Sequence, residues 1–354
     1  MSPVTVRRVS VVAAACAALL AASCESAPPP PPPAPPPPPP PAVALNSGVA
    51  EAAAVYLAYM RDAASISASF TDAAMVQDAV RRAASYEPTQ LAHGMVAYAA
   101  VLALQSPEYV AGVRQYSVNP EQRAELVRQI TSDPAYAAQL PGAEHAAGLI
   151  AAQLQADGQS VYRAGEAVKQ AAYDVQHQRW SREAVPNREE RLERARTLSA
   201  TRLNPSLDES ARLLQAGLNG AGLPVVSARA EPPYTEAVIR GLAIAALATL
   251  GAAGEDARAT TDALMVENSG SYCLNFSKLN LMQCLAAARP HYEDVFCLGQ
   301  HILMDTGQCV VESAGAVTVP TLPSVTVAAA ESVAADASGA AANAVESGAA
   351  AQPN

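Results

Sequence analysis

Val161–Val175 reads VYRAGEAVKQAAYDV, and its apolar residues Val161, Ala164, Val168, Ala172 and Val175 fall at i, i+3, i+7, i+11 and i+14. This spacing returns to one side of a cylinder with a period near 3.6, so the segment predicts an amphipathic α-helix. A strand would place alternate residues inward instead. The same period extends to both sides. Leu91, Met95, Tyr98 and Leu102 form one stripe, and Leu207, Ala211, Leu214 and Leu218 form another. Start signals agree with them. Ser106-Pro107-Glu108 and Asn119-Pro120-Glu121 each set a capping side chain before a proline at the first helical position, with an acid following. The best strand-like stretch, Leu223-Pro224-Val225-Val226, is short and carries a proline. Residues 46–268 are therefore expected to form an all-α domain, an irregular helical bundle or array. Leu242–Leu250, apolar except for Thr249, is expected to be a deeply buried helix and not a membrane span, being too short and preceded by Arg240.

Composition limits what this domain can be. Half of the 354 residues are apolar, but aromatics make up only 5%. The expected core is thus close-packed and built from small side chains. Acids outnumber bases 33 to 23, giving a net charge of −10, which repels phosphate backbones and argues against a nucleic-acid partner. Lys169 and Lys278 are the only lysines, so an amine nucleophile has few candidates. The basic run from Arg179 to Arg202 is interleaved with Glu183, Glu189, Glu190 and Glu193, the pattern of a solvated helix face.

Residues 269–312 carry Cys273, Cys284, Cys297 and Cys309, together with Phe276 and Phe296. We read them as a four-cysteine helical hairpin module. Lys278–Ala288 and His291–Met304 have helical character and are separated at Arg289-Pro290, with Tyr292, Val295, Phe296 and Leu303 expected on the inner stripe of the second arm. An antiparallel hairpin sets Cys284 opposite Cys297 and Cys273 opposite Cys309, so the nested disulfide pairing is preferred. The sequential pairing of Cys273 with Cys284 and Cys297 with Cys309 is the alternative. No two cysteines lie two to four residues apart and there is no C-x-x-C, so neither a metal site nor a redox pair is expected, despite His291 and His301 nearby.

The two ends read differently. Arg7 and Arg8 precede the apolar run Val9–Ala22, too short to span a bilayer permanently, so residues 1–23 are read as a signal peptide. Leu20-Ala21-Ala22-Ser23-Cys24 resembles the lipobox of exported bacterial lipoproteins. The resemblance implies cleavage before Cys24, lipidation of Cys24 and a membrane partner through that lipid, at the periplasm-facing side of the cell envelope and with the outer membrane preferred over the inner. Residues 24–45 contain Pro28–Pro41, all proline but for Ala34, a composition that favours a stiff polyproline II tether. Residues 313–354 are Ala, Ser, Gly and Val with some acids and no base, a composition expected to be disordered. Within them Val317–Val327 has the alternation of a strand that adds to a partner.

Reaction chemistry is hard to find. No G-x-S-x-G, H-E-x-x-H, P-loop or G-x-G-x-x-G occurs, and His93, His145 and His177 lack a partner motif. Glu209-Ser210 and Leu281-Met282-Gln283 resemble fragments of the lytic transglycosylase pattern, but they stand about 70 residues apart and carry no glycine signature. His291, Glu293 and Asp294 suit the first turn of a helix, where acids complement the dipole. No cofactor and no catalytic residue is therefore assigned. The function expected is that of a non-catalytic envelope lipoprotein that binds an envelope protein or cell-wall peptidoglycan. The alternative is a cell-wall or polysaccharide hydrolase with an acidic catalytic residue.

Overall fold

A computed structural model describes residues 41–315. The signal peptide, Cys24, nearly all of the proline tether and the tail after Gly315 lie outside the described residues. Within them the chain is all-α, with fourteen α-helices and no strand or sheet. In chain order these are α1 Ser47–Ala64, α2 Ala73–Ala84, α3 Pro88–Ala103, α4 Pro107–Arg114, α5 Pro120–Ser132, α6 Ala143–Val175, α7 Arg179–Arg182, α8 Arg188–Ala200, α9 Leu207–Asn219, α10 Glu236–Thr249, α11 Arg258–Met265, α12 Asn268–Ala287, α13 His291–Cys297 and α14 Asp305–Ala314. A π-helical turn, Leu298–Met304, joins α13 to α14. Leu223–Val226 forms no strand and runs as an irregular loop.

The helices start where local chemistry says. Ser106 Oγ accepts from the backbone N–H of Tyr109, and Asn119 Oδ1 accepts from those of Glu121 and Gln122. Each cap satisfies amides that the first turn leaves free. Glu87 does the same for α3, taking the N–H groups of Thr89 and Gln90.

The core sits on α3 and α10. Nearly every residue of α3 from Leu91 to Ala103 is buried, and so is every residue of α10 from Gly241 to Thr249. Alanines such as Ala97, Ala99, Ala243 and Ala245 are fully buried, so the two helix axes approach closely with little side chain between them. Helix α1 packs on α3 from another side, and α6, 33 residues and about 50 Å long, spans the assembly. The tightest crossing joins α6 to the π turn and α14. A Cβ on Gly299 would lie 2.4 Å from Lys169 N, and one on Gly307 would lie 2.6 Å from Tyr162 N. Only glycine admits that approach.

The four cysteines form the nested pair of disulfides, Cys273–Cys309 and Cys284–Cys297. Their helices share the main core. Leu274, Leu281, Leu285, Val295, Leu298 and Leu303 belong to the same buried cluster as Tyr56 and Leu102.

The second arm differs from the sequence expectation in its inner stripe. Tyr292 and Phe296 are half-exposed, whereas His291, Asp294, Val295, Leu298 and Ile302 point inward. The cause is electrostatic. Asp294, fully buried, pairs with buried Arg191 of α8 and accepts from Gln77 Nε2 at 2.8 Å, which rotates α13 to carry its acid inward. Arg188 donates to the carbonyls of Ala286 and Ala288 at the end of α12. The basic run is therefore a solvated face only in part: Arg194 pairs with Glu190 in the open, while Arg188 and Arg191 dock it to the cysteine helices.

Candidate functional site

Two places bring chemically useful groups together. The first is a cleft between α1, α6 and α9, closed by the loop through Leu223 and Pro224, with a volume of about 310 Å³. Its polar lining residues are Asp157, Gln153 and Ser160 from α6, Arg61 from α1, and Glu209 and Arg212 from α9; its apolar ones include Leu57, Met60, Ala64, Leu223 and Pro224. Asp157 lies at i+3 from Leu154 and i−4 from Val161, so helical geometry puts a carboxylate on the core-facing stripe of α6. There it accepts from Gln153 Nε2 at 2.9 Å and from Tyr56 Oη at 3.3 Å. Both donors are neutral. Burial pushes its pKa up to about 6, more than those two hydrogen bonds and the nearby Arg61 charge pull it down.

Glu209 in the same cleft is held the other way. Ser206 caps α9 and places Glu209 in its first turn. Arg212 grips it with Nε and Nη2 at 3.0 and 2.7 Å, and Arg61 Nη1 lies 3.1 Å away. The hydrogen bonds from Arg212 lower its pKa first, helped by the charges of both arginines. Tyr98 lines the same cleft, and burial, reinforced by the Asp157 charge, pushes the pKa of its hydroxyl up. Two carboxyl groups driven apart in acidity within one cleft are the arrangement from which acid–base and charged-ligand sites are built.

The second place is an apolar surface on the cysteine helices. Tyr272, Phe276 and Leu279 stand at i, i+4 and i+7 on α12 and are 73%, 52% and 49% exposed, and the two rings stack at 6.5 Å. The same helix face continues through Gln283 to Ala287. Ala287 lines a groove of about 480 Å³ whose other walls are Tyr173 of α6, Tyr292 and Phe296 of α13, and the Cys284–Cys297 disulfide. Phe296 meets Tyr173 edge-on at 6.3 Å, and the Lys169 ammonium sits 5.7 Å from its ring centre.

Cys24 lies outside the described residues. His291 is buried, and its Nδ1 has no partner; His301 Nδ1 is 3.4 Å from Asp305. Glu293 Oε2 caps the N–H of Arg289, whereas Asp294 belongs to the buried pair with Arg191. Lys278 is buried, donates to the Ala84 carbonyl at 2.6 Å and lies 3.6 Å from the centre of the Tyr86 ring; burial drives its pKa well down. Glu209 lines the first cleft, while Leu281 is buried in α12, in a different part of the fold. Asp157 belongs to none of the sequence motifs above, although an acid spaced between Leu154 and Val161 on one helix face is a readable signal. Among the described residues no group of three metal-ligating side chains occurs, and no helix is long and apolar enough to cross a membrane. Comparison with family models, with curated proteins and with solved structures returns no match.

Proposed function

We propose that this chain is a non-catalytic lipoprotein of the cell envelope, anchored through Cys24, which binds an envelope protein through the exposed face of α12. The observation that carries the reading is the Tyr272, Phe276 and Leu279 strip running into the aromatic groove at Phe296. Three large apolar side chains in register on one helix face, running into an aromatic groove, form the kind of contiguous exposed apolar surface that marks a protein–protein contact. Aromatic anchors are the residues that dominate such contacts. The face is stiff as well, because Cys273 and Cys284 on the same helix are both cross-linked to the chain that follows. A pre-organised surface loses little entropy on binding.

The test is capture from detergent-solubilised envelope by the wild-type protein and by the double variant Tyr272→Ser, Phe276→Ser. Both side chains are exposed, so the variant is expected to fold as the wild type does and to lose a specific co-purifying envelope protein. Equal recovery with both proteins would overturn the reading. Anchoring is checked separately: Cys24→Ser is expected to shift the protein from the membrane fraction to the soluble one, or to accumulate as precursor.

A second reading, a cell-wall hydrolase, is favoured by one observation: the desolvated Asp157 facing a cleft that also contains Glu209. Turnover of purified peptidoglycan by the wild type and not by Asp157→Ala would support it.

A further inference from the structure

The cleft at Asp157 has a charge arrangement that the protein itself leaves incomplete. Glu209 is paired with both Arg212 and Arg61. Asp157 is not, since its oxygens accept only from the neutral Gln153 amide and Tyr56 hydroxyl, and no cation of the described residues forms an ion pair with it. A carboxylate accepts about four hydrogen bonds, so roughly half its capacity is left toward the cleft. Arg61 is the complementary pole. Its side chain is 62% exposed and makes one ion pair, so most of its five N–H donors are free. With two acids and two arginines in one cleft the formal charges cancel, which disfavours a simple anion or a simple amine. A ligand carrying both charges at once is not penalised.

We propose that this cleft binds a small zwitterion, an amino acid or a short unblocked peptide, with its ammonium on Asp157, its carboxylate on Arg61, and its carbon skeleton against Leu57, Met60 and Leu223. Three observations narrow the class. The volume of about 310 Å³ lies at the lower end for ligand cavities, so the occupant is small. Leu57, Met60, Ala64, Leu223 and Pro224 give the cleft apolar walls, which suit an aliphatic skeleton between two charged ends. Tyr98, the only aromatic lining residue, is 6% exposed, so no open ring face is offered for stacking a sugar. The inference is independent of the partner surface on α12, which uses none of these residues.

The ammonium contact requires Asp157 to be ionised. The groups that face it are Tyr56 and Arg61 of α1, Tyr98 of α3, Glu209 and Arg212 of α9, and Gln153 on its own helix. Glu209 keeps its charge to lower pH than an ordinary glutamate, so of the two acids Asp157 is the one that changes state near pH 6.

The experiment is calorimetric titration of the full chain with alanyl-alanine, its N-acetyl derivative, its C-terminal amide, and N-acetylglucosamine. At pH 7.5 the free dipeptide is expected to bind, and either blocked form to bind about tenfold or more weakly, because each leaves one charged pole unpaired. Binding should weaken by about tenfold per pH unit below pH 6. Asp157→Asn should lose the pH dependence together with most of the affinity. Arg61→Ala, an exposed site whose truncation leaves the core intact, should act like the amide. Binding of the N-acetyl derivative as tight as that of the free dipeptide would overturn the proposal. So would binding of the sugar in place of the dipeptide, no binding of any probe at millimolar concentration, or unchanged affinity in both variants. None of these results would alter partner capture through Tyr272 and Phe276, so the two ideas fail separately.

Discussion

Asp157 sits where a helix packed against a core would ordinarily place an apolar side chain. Its carboxyl has a folded pKa of about 6, above the value of about 3.9 for an unfolded chain, so the folded state holds the proton more tightly. Stability is accordingly gained as pH falls from about 6 toward about 4. Above pH 6 the desolvated carboxylate carries the full difference, on the order of 2 to 3 kcal/mol. Asp157→Asn keeps the shape and both hydrogen-bonding neighbours while removing the charge. It is expected to stabilise the protein at pH 7.5 by about 1 to 3 kcal/mol, with the advantage disappearing by pH 4. Urea unfolding at the two pH values measures this. A variant less stable than the wild type at pH 7.5 would mean that attraction to Arg61 outweighs desolvation. A charge that weakens the fold but faces a cleft is what a binding residue looks like, and it explains why Asp157 was only half legible in the sequence. Its position on the stripe can be read from Leu154 and Val161; the loop carrying Leu223 and Pro224 that closes the cleft over it comes from sequence some 65 residues away. Asp294 was less legible still. An acid in the first turn of a helix is explained locally by the dipole, and only the long-range arrival of Arg191 turns it into a buried pair.

Helix starts and cross-links are legible in the sequence where local chemistry decides them. Proline after a capping side chain at Ser106 and Asn119 sets helix starts wherever the chain goes next. Cysteine positions relative to Pro290 gave the nested pairing because an antiparallel hairpin admits few alternatives. The π turn at Leu298–Met304 was not readable, since it answers to a contact across the fold: Gly299 and Gly307 must both reach the backbone of α6. One inserted residue per turn adjusts their phase. The two disulfides close loops of different length, with separations of 36 and 13 residues. Chain-entropy reasoning gives about 4 kcal/mol for the longer and about 3 kcal/mol for the shorter. The pair Cys273→Ala, Cys309→Ala should therefore destabilise more than the pair Cys284→Ala, Cys297→Ala, by about 1 kcal/mol, in parallel urea titrations. The reverse order would indicate that packing of the fully buried Cys297 outweighs loop closure.

The cysteine helices and the preceding bundle are built to unfold as one. Helix α12 packs on α3, α14 packs on α6, and Lys278 of α12 donates to the end of α2, so the interface is continuous core and not a rim of polar contacts. Separate domains ordinarily meet through smaller and more polar surfaces. The glycine contacts of Gly299 and Gly307 with α6 add to this, because neither helix can shift without breaking backbone-level packing. Cooperative unfolding follows from shared burial: exposing α12 would expose α3, the most buried helix alongside α10. Calorimetry of residues 41–315 with the disulfides intact is therefore expected to show one transition, with calorimetric and van't Hoff enthalpies in agreement. Reduction should move that transition to lower temperature without splitting it. Two resolved transitions, the first removing only the near-ultraviolet signal of Tyr272, Phe276 and Phe296, would show instead that the cysteine helices melt alone. The rigidity argued for the α12 face would then belong to the disulfides and not to the core beneath them.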